Sequence, residues 1–136
     1  MSQRTILNFL AIFMFIATAT LSFAKDYIIY SVAQEFPMTS DHVDLRKNYY
    51  INMGKEQGLK EGAKIDVYRT VSVLDPYGTK SRYDHKVKIG ELAVLHLESN
   101  SAICQEAKLR NKDKDAPYFE IDSFMIGDKV DVHVKN

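Results

Sequence analysis

Residues 49–69 read YYINMGKEQGLKEGAKIDVYR. An apolar run ends at a loop that contains Gly54, Gly58 and Gly62, and a second apolar run begins after it. Glycines between two alternating apolar runs are typical of two strands joined by a turn. The stretch therefore predicts a β fold built around this loop.

The loop itself is expected to be structural. Gly58 can close one helical turn over residues 55–57 by adopting the left-handed conformation, which other residues rarely adopt. Leu59 is the one large apolar residue of the loop, and we expect it to fill one end of the core. Phosphate binding is not expected, because the glycines have a Gly-x3-Gly-x3-Gly spacing and precede a strand instead of a helix.

A weaker copy of the pattern lies near the end of the chain. Residues 126–132 align with residues 61–67, so that Gly127 corresponds to Gly62. Both glycines are expected at turns where a side chain would clash. The structural loop residues predicted in this way are Gly54, Gly58, Leu59, Gly62 and Gly127.

The rest of the chain also has the pattern of strands. Six short strands are predicted, at residues 26–33, 49–53, 64–74, 87–98, 101–109 and 130–134. Residues 87–98 are apolar in both phases, which predicts a central strand covered on two sides. Residues 78–86 are polar and predict a loop or hairpin tip. Together the pattern favours an all-β fold, a small antiparallel barrel or sandwich.

The first 24 residues have the layout of a secretory signal: one basic residue, a long apolar stretch and small residues at the end. Cleavage is expected after Ala24, with Ala19 as an earlier alternative. An uncleaved membrane anchor over residues 5–24 is the other alternative. The prediction is a signal peptide at 1–24 and one exported domain at 25–136, periplasmic or secreted, that meets a membrane only if the anchor is retained.

Charge and cysteine content narrow the function further. The chain has 18 basic and 18 acidic residues, dispersed along its length. Nucleic-acid binding requires a concentrated basic surface and is therefore not expected. Cys104 is the only cysteine, so no internal disulfide can form, and we expect its side chain to be a small buried hydrophobe.

No grouping of residues suggests a reaction. The four histidines, His42, His85, His96 and His133, are dispersed and lack metal-site spacing. His96 lies in an apolar strand and is expected to be partly buried. Residues 113–115 lack the glycine and distal glutamate of a calcium loop. We therefore expect no catalytic residue, no cofactor, no metal and no enzyme activity.

Tyrosines supply the one candidate binding face. Tyr27, Tyr30, Tyr49 and Tyr50 are close together in sequence. Tyrosine combines apolar area with a hydroxyl and is common in surfaces that bind proteins or glycans. Aromatic residues are also frequent in strands for packing reasons alone, so both interpretations remain open.

Residues 50–54 and 58–69 resemble the C-terminal domain of the flagellar assembly protein T family. The family pattern is an apolar strand ending in Asn-x-Gly, a Gly-Leu/Val-x-x-Gly-Asp turn, and an apolar strand ending in Tyr-Arg. Ala63 stands where the family usually has aspartate, while residues 89–92 and 126–130 resemble its later strand openings. The resemblance implies a β fold and a flagellar or envelope protein as partner.

The functional expectation is a non-enzymatic exported β-domain that acts as a binding or assembly module in the cell envelope, with a link to the flagellum. The alternative is a module that binds peptidoglycan or another glycan through the tyrosine-rich face. An unpaired strand edge could also recruit a second copy of the chain by strand addition.

Overall fold

The computed structural model describes residues 25–36, 45–110 and 117–131, together with Gln3. The predicted signal segment (apart from Gln3), His42, His133, residues 113–115 and the end of the last predicted strand fall outside these ranges. No helix within the described ranges is long and apolar enough to cross a membrane.

One antiparallel sheet of six strands makes up the described domain. The strands are β1 (Ile29–Gln34), β2 (Lys47–Ile51), β3 (Lys64–Leu74), β4 (Arg82–Leu97), β5 (Ala102–Leu109) and β6 (Lys129–Val130). Their order across the sheet is β1-β2-β5-β4-β3-β6. The predicted all-β class with about six antiparallel strands is therefore confirmed.

The sheet curls until its two edge strands meet, as in a partly closed barrel. Ile28 and Lys129 form an antiparallel bridge between the start of β1 and β6. Around it, the Ile29 amide donates to the Asp128 carbonyl at 2.9 Å, and the Gly127 amide donates to the Ile29 carbonyl at 2.8 Å. These bonds leave little free edge where β1 and β6 face each other.

The core lies inside the curl and comes from alternate residues of the strands. In β3, for example, Ile65 and Val67 are fully buried. The core consists of Ile29, Tyr49, Ile51, Met53, Leu59, Ala63, Ile65, Val67, Ile89, Leu92, Val94, Leu97, Ala102, Cys104, Phe124 and Val130. Phe124 belongs to the long segment between β5 and β6, and its ring meets the Tyr49 ring edge-on with centroids 5.5 Å apart.

Two predictions about β4 were wrong. The strand begins at Arg82, within the segment predicted as a loop or hairpin tip, because residues 82–87 pair with β3. The strand is not covered on two sides either, since Leu95 is 48% exposed. A curled single sheet has only one core face, so the second apolar phase of this strand faces solvent.

Candidate functional site

The glycine loop is fastened to the turn between β4 and β5. Residues 55–57 form a single 3-10 turn that ends at Gly58, whose φ is 85°. The Lys55 amide donates to the Glu98 carbonyl at 2.9 Å, and the Glu56 amide donates to the Ser99 carbonyl at 3.0 Å. Leu59 is buried in the core. The loop thus connects β2 to β3 and closes one end of the sheet.

The expected clash at two of the glycines was wrong. A Cβ atom at Gly62 or Gly127 would meet no atom within 4 Å. Both residues have positive φ, 77° and 96°, so the backbone conformation and not the surrounding space selects glycine there. The close approach occurs instead at Gly54, where a Cβ would overlap the backbone of the β4–β5 turn.

Substitution at Gly62 tests the conformational reason. We expect Gly62→Val to lower the free energy of unfolding by about 2 kcal/mol, because a β-branched residue is disfavoured in the left-handed region. Gly62→Asn should cost clearly less, since asparagine tolerates this conformation. Urea denaturation of both variants measures the difference. Equal losses for valine and asparagine would contradict the explanation.

The four tyrosines do not form one face. Tyr49 is fully buried, and burial raises the pKa of its hydroxyl, with a smaller contribution from the charge of Glu106. Tyr27 is half-buried against the core. Only Tyr30 and Tyr50 pair at the surface, with ring centroids 6.3 Å apart and planes at 51°. The predicted tyrosine-rich face is therefore reduced to two members.

A buried ion pair joins β3 to the segment before β6. Arg69 donates from Nε to Asp128 Oδ1 at 2.7 Å and from Nη2 to Asp128 Oδ2 at 2.8 Å. The same Nη2 donates to the Ser123 carbonyl, and the Met125 amide donates to Asp128 Oδ2. The hydrogen bond with Asp128 raises the pKa of Arg69. This paired geometry holds the 123–128 segment on the sheet.

A second ionic cluster lies on β3 and β4. Lys88 Nζ lies 2.7 Å from Asp66 Oδ1 and 3.0 Å from Glu91 Oε1. Burial lowers the pKa of Lys88, but the hydrogen bonds with Asp66 and Glu91 outweigh it, so the pKa is raised. Lys88 is therefore charged at any physiological pH. Both ionic clusters stabilise the base of the hairpin formed by β3 and β4.

Beyond this base the hairpin continues as a two-stranded extension. Residues 69–74 of β3 pair with residues 82–87 of β4, with Val73 opposite Tyr83 and Val71 opposite His85. In the described part of the chain, β6 pairs with β3 only at residues 67–68, and β5 pairs with β4 only from Gly90 onward. We call residues 69–74 and 82–87 the ribbon.

One face of the ribbon is apolar. Alternate residues of a strand share a face, so Val71, Val73, Tyr83 and Val87 lie together, along with Arg69 and His85. Val73 is 49% exposed and Tyr83 is 56% exposed. The opposite face is mostly polar, with Thr70, Ser72, Arg82, Asp84 and Lys86. The alternation of side chains is unbroken along β3. The apolar face of the ribbon therefore lies on the same side of the strand as Ile65 and Val67, which line the core.

The remaining side chains that could take part in a reaction or bind a metal ion lie apart from each other. His96 is 58% exposed and bonds Glu98 Oε1 at 2.9 Å, so the expected partial burial was wrong. A register shift between Val94 and His96 turns this side chain outward. Cys104 is fully buried as expected, and burial raises the pKa of its thiol to about 12. Within the described ranges, no three of His, Cys, Asp or Glu are grouped as a metal ion would require.

Sequence reasoning missed the ribbon and the Arg69–Asp128 pair. A signal for the pair was present, because Arg69 was the one charged residue in the apolar phase of β3. A signal for the ribbon was also present, since Tyr83, His85 and Val87 continue the phase of Ile89. The polar residues that alternate with these three made the whole segment look like a polar loop.

These features define a small, curled antiparallel β-domain with a glycine-rich closing loop and a projecting amphipathic hairpin. A family model described as "Flagellar assembly protein T, C-terminal domain" matches residues 46–115. The match spans about half the chain and includes the glycine loop and the ribbon, and the chain belongs to this family. It is thus a flagellar assembly-related module, which is consistent with an envelope location. No curated protein matches the chain.

Proposed function

We propose that this chain is a non-enzymatic β-domain that is exported to the periplasm and binds a protein partner of the flagellar structure in the envelope. The apolar face of the ribbon is the observation that carries the proposal. It lies within the region matched by the family model. Membership in a flagellar assembly family supports a protein as the partner.

The exposed side chains of this region suit a protein interface. Val73 and Tyr83, one aliphatic and one aromatic, lie directly opposite each other on the apolar face. At the base of the ribbon, Met125 and Ile126 are also exposed and line a recess of about 360 Å³ together with Arg69 of the apolar face. Contiguous exposed apolar surface is a mark of protein interaction sites, and aromatic residues and Met are enriched at interface centres.

The fold gives this surface a rigid support. The Arg69–Asp128 pair and the Lys88 cluster fix the two strands where they leave the sheet. A partner that covers the apolar face therefore meets a preformed strand pair, and less conformational entropy is lost on binding.

A double substitution on the apolar face tests the proposal. The full chain with a C-terminal affinity tag is recovered from the periplasmic fraction of the source bacterium, and co-purified proteins are identified by mass spectrometry. We expect wild type to recover a protein of the flagellar structure, and Val73→Lys with Tyr83→Lys to reduce its recovery by more than about tenfold. Ser72→Lys, on the opposite face of the same strand, should recover it normally.

Three results would contradict the proposal. The first is failure of the tagged chain to reach the periplasmic fraction. The second is the absence of any flagellar component from the wild-type sample. The third is equal recovery by the double variant and by Ser72→Lys. Thermal melts of the variants separate lost binding from lost folding, because both substituted positions are exposed.

Glycan binding is the second candidate, and the pair formed by exposed Tyr30 and half-buried Tyr50 favours it. Two tilted rings at the surface can stack on sugar rings. The same tagged chain distinguishes the candidates: co-sedimentation with purified peptidoglycan that disappears in Tyr30→Ser, without recovery of a flagellar component, would replace the protein partner with a glycan.

A further inference from the structure

Within residues 25–36, 45–110 and 117–131, the outer edge of β4 in the ribbon presents backbone hydrogen-bonding groups that have no strand beside them. The Asp75 amide donates to the Ser81 carbonyl at 2.9 Å, in the same register as Leu74 opposite Arg82. Hydrogen bonding alternates along an antiparallel pair, so Tyr83, His85 and Val87 bond to β3. Asp84 and Lys86 therefore direct their N–H and C=O groups away from β3.

From Lys88 onward, other residues form hydrogen bonds with this edge of β4. The Arg110 side chain donates from Nη1 to the Lys88 carbonyl at 3.2 Å, and the Arg110 amide donates to the Ile89 carbonyl at 2.9 Å. From Gly90 onward β5 covers the edge. Among the described residues, no strand pairs with the outer edge of β4, the edge opposite β3, over residues 82–87. An exposed strand edge of this length is a template for another strand.

The charges along this edge are complementary to those of the same edge in a second copy of the chain. The order from residue 83 to 87 is apolar, acidic, histidine, basic, apolar. If a second copy runs antiparallel with the two His85 residues opposite each other, Asp84 faces the partner's Lys86 and Tyr83 faces the partner's Val87. The arrangement repeats itself across a twofold axis, as an interface between identical copies requires. Opposite charges directly across two strands are favourable.

The hydrogen-bonding phase agrees with this register. Asp84 and the partner's Lys86 both direct their backbone groups outward, so each pair exchanges two hydrogen bonds. The two His85 residues then form a pair without hydrogen bonds, which brings their Cα atoms closest. The Lys86 Nζ already lies 4.4 Å from the Tyr68 ring centroid, on the face of the ribbon that carries Asp84. This contact leans the lysine toward β3, so its ammonium group has to leave the Tyr68 ring to meet the partner's carboxylate.

Neighbouring registers are less favourable. A shift that places the two Asp84 residues opposite each other also places Arg82 against the partner's Lys86, so all facing charges are alike. A shift that centres on Tyr83 pairs Arg82 with Asp84, but the overlap stops at Arg82 because β4 begins there. The register centred on His85 is the one that satisfies both charge and length.

We propose that two copies of this chain pair antiparallel through residues 83–87 of β4, with His85 on the twofold axis, to form a four-stranded sheet from two ribbons. The apolar faces of the two ribbons then become one continuous surface. This pairing goes beyond binding of a flagellar partner and does not depend on it. The contact is small, so the dimer is reversible and depends on concentration.

A charge exchange tests the pairing in the purified full chain. Sedimentation velocity over a range of concentrations is expected to show a monomer–dimer equilibrium. Asp84→Lys and Lys86→Asp should each raise the dissociation constant by at least about tenfold, because each places like charges opposite. The double variant Asp84→Lys with Lys86→Asp restores opposite charges and should restore the dimer. The matched control Lys55→Asp lies in the glycine loop and should leave it unchanged.

The result that overturns the proposal is equally specific. It would be a wild-type chain that stays monomeric at all concentrations, single variants that dimerise like wild type, or a double variant that remains monomeric. Each of these can be obtained without the flagellar partner, so failure here is separate from failure of the proposed function.

Single cysteines test the register. Under diamide, which takes up two electrons and two protons as two thiols form a disulfide, His85→Cys should give a covalent dimer. Directly opposed residues without hydrogen bonds lie within disulfide range. Tyr83→Cys and Ser72→Cys should cross-link at least about tenfold more slowly, since only a close pair meets the disulfide geometry. Cys104 does not compete, because it is fully buried. Faster cross-linking of Tyr83→Cys than of His85→Cys would overturn the register.

Discussion

Gly54→Ala is expected to lower the free energy of unfolding by about 3 kcal/mol, the upper end of the usual cost of overpacking. A methyl group there would overlap the Glu98 carbonyl oxygen and lie 2.6 Å from the Ser99 carbonyl oxygen and 2.7 Å from the Ser101 amide nitrogen. All three are backbone atoms of the β4–β5 turn, so no side chain can rotate away. The loop or the turn must move, and the hydrogen bonds from Lys55 and Glu56 are strained.

Gly78→Ala is the matched control for this measurement. A methyl group at Gly78 would lie 3.0 Å from Asp75 Oδ2, which is the end of a flexible side chain in an exposed turn. Its cost should stay within about 0.5 kcal/mol. Chemical denaturation of both variants gives the comparison. A loss at Gly54 as small as that at Gly78 would show that the loop does not lie tightly on the β4–β5 turn.

Asp128→Ala is expected to have a similarly large effect, about 3 kcal/mol, because it removes one partner of a buried pair. Asp128 is only 4% exposed and accepts hydrogen bonds from Arg69 and from the Met125 amide. Without it, the guanidinium remains partly buried with its charge uncompensated. The figure is at the lower end of the range for buried pairs because Arg69 retains some contact with water.

Asp26→Ala provides a control with the same chemical change. Asp26 Oδ2 lies 3.0 Å from Lys129 Nζ, but both side chains are largely exposed. Exposed pairs contribute little, so the loss should be below about 0.5 kcal/mol. Urea denaturation at low and high salt separates the two cases further, because solvent ions screen the exposed pair more effectively. Equal losses at Asp26 and Asp128 would mean that the buried pair does not hold the 123–128 segment.

The strands could be predicted from sequence because burial follows a period of two. Ile65 and Val67 stood out in β3, and the glycines marked the turn before it. The start of β4 could not be found in this way. Residues 82–86 are exposed on both faces of the strand, so the core that creates the usual contrast is missing there.

The tyrosine error has a different origin. Tyr49 and Tyr50 are consecutive in a strand and must point to opposite sides, so they could never share a face. The alternation of Tyr49, Ile51 and Met53 already indicated which tyrosine is buried. The Arg69–Asp128 pair, by contrast, joins residues 59 positions apart. The arginine was visible in the pattern, but its partner depends on how the sheet curls, which no local pattern specifies.

The bridge between Ile28 and Lys129 has a consequence for synthesis of the chain. The start of β1 forms its hydrogen bonds with residues 127–129, so the sheet cannot close before that segment has been synthesised. Contacts between distant residues form slowly because loop closure must come first. During synthesis β1 therefore stays without this partner until the segment at residues 127–129 has left the ribosome.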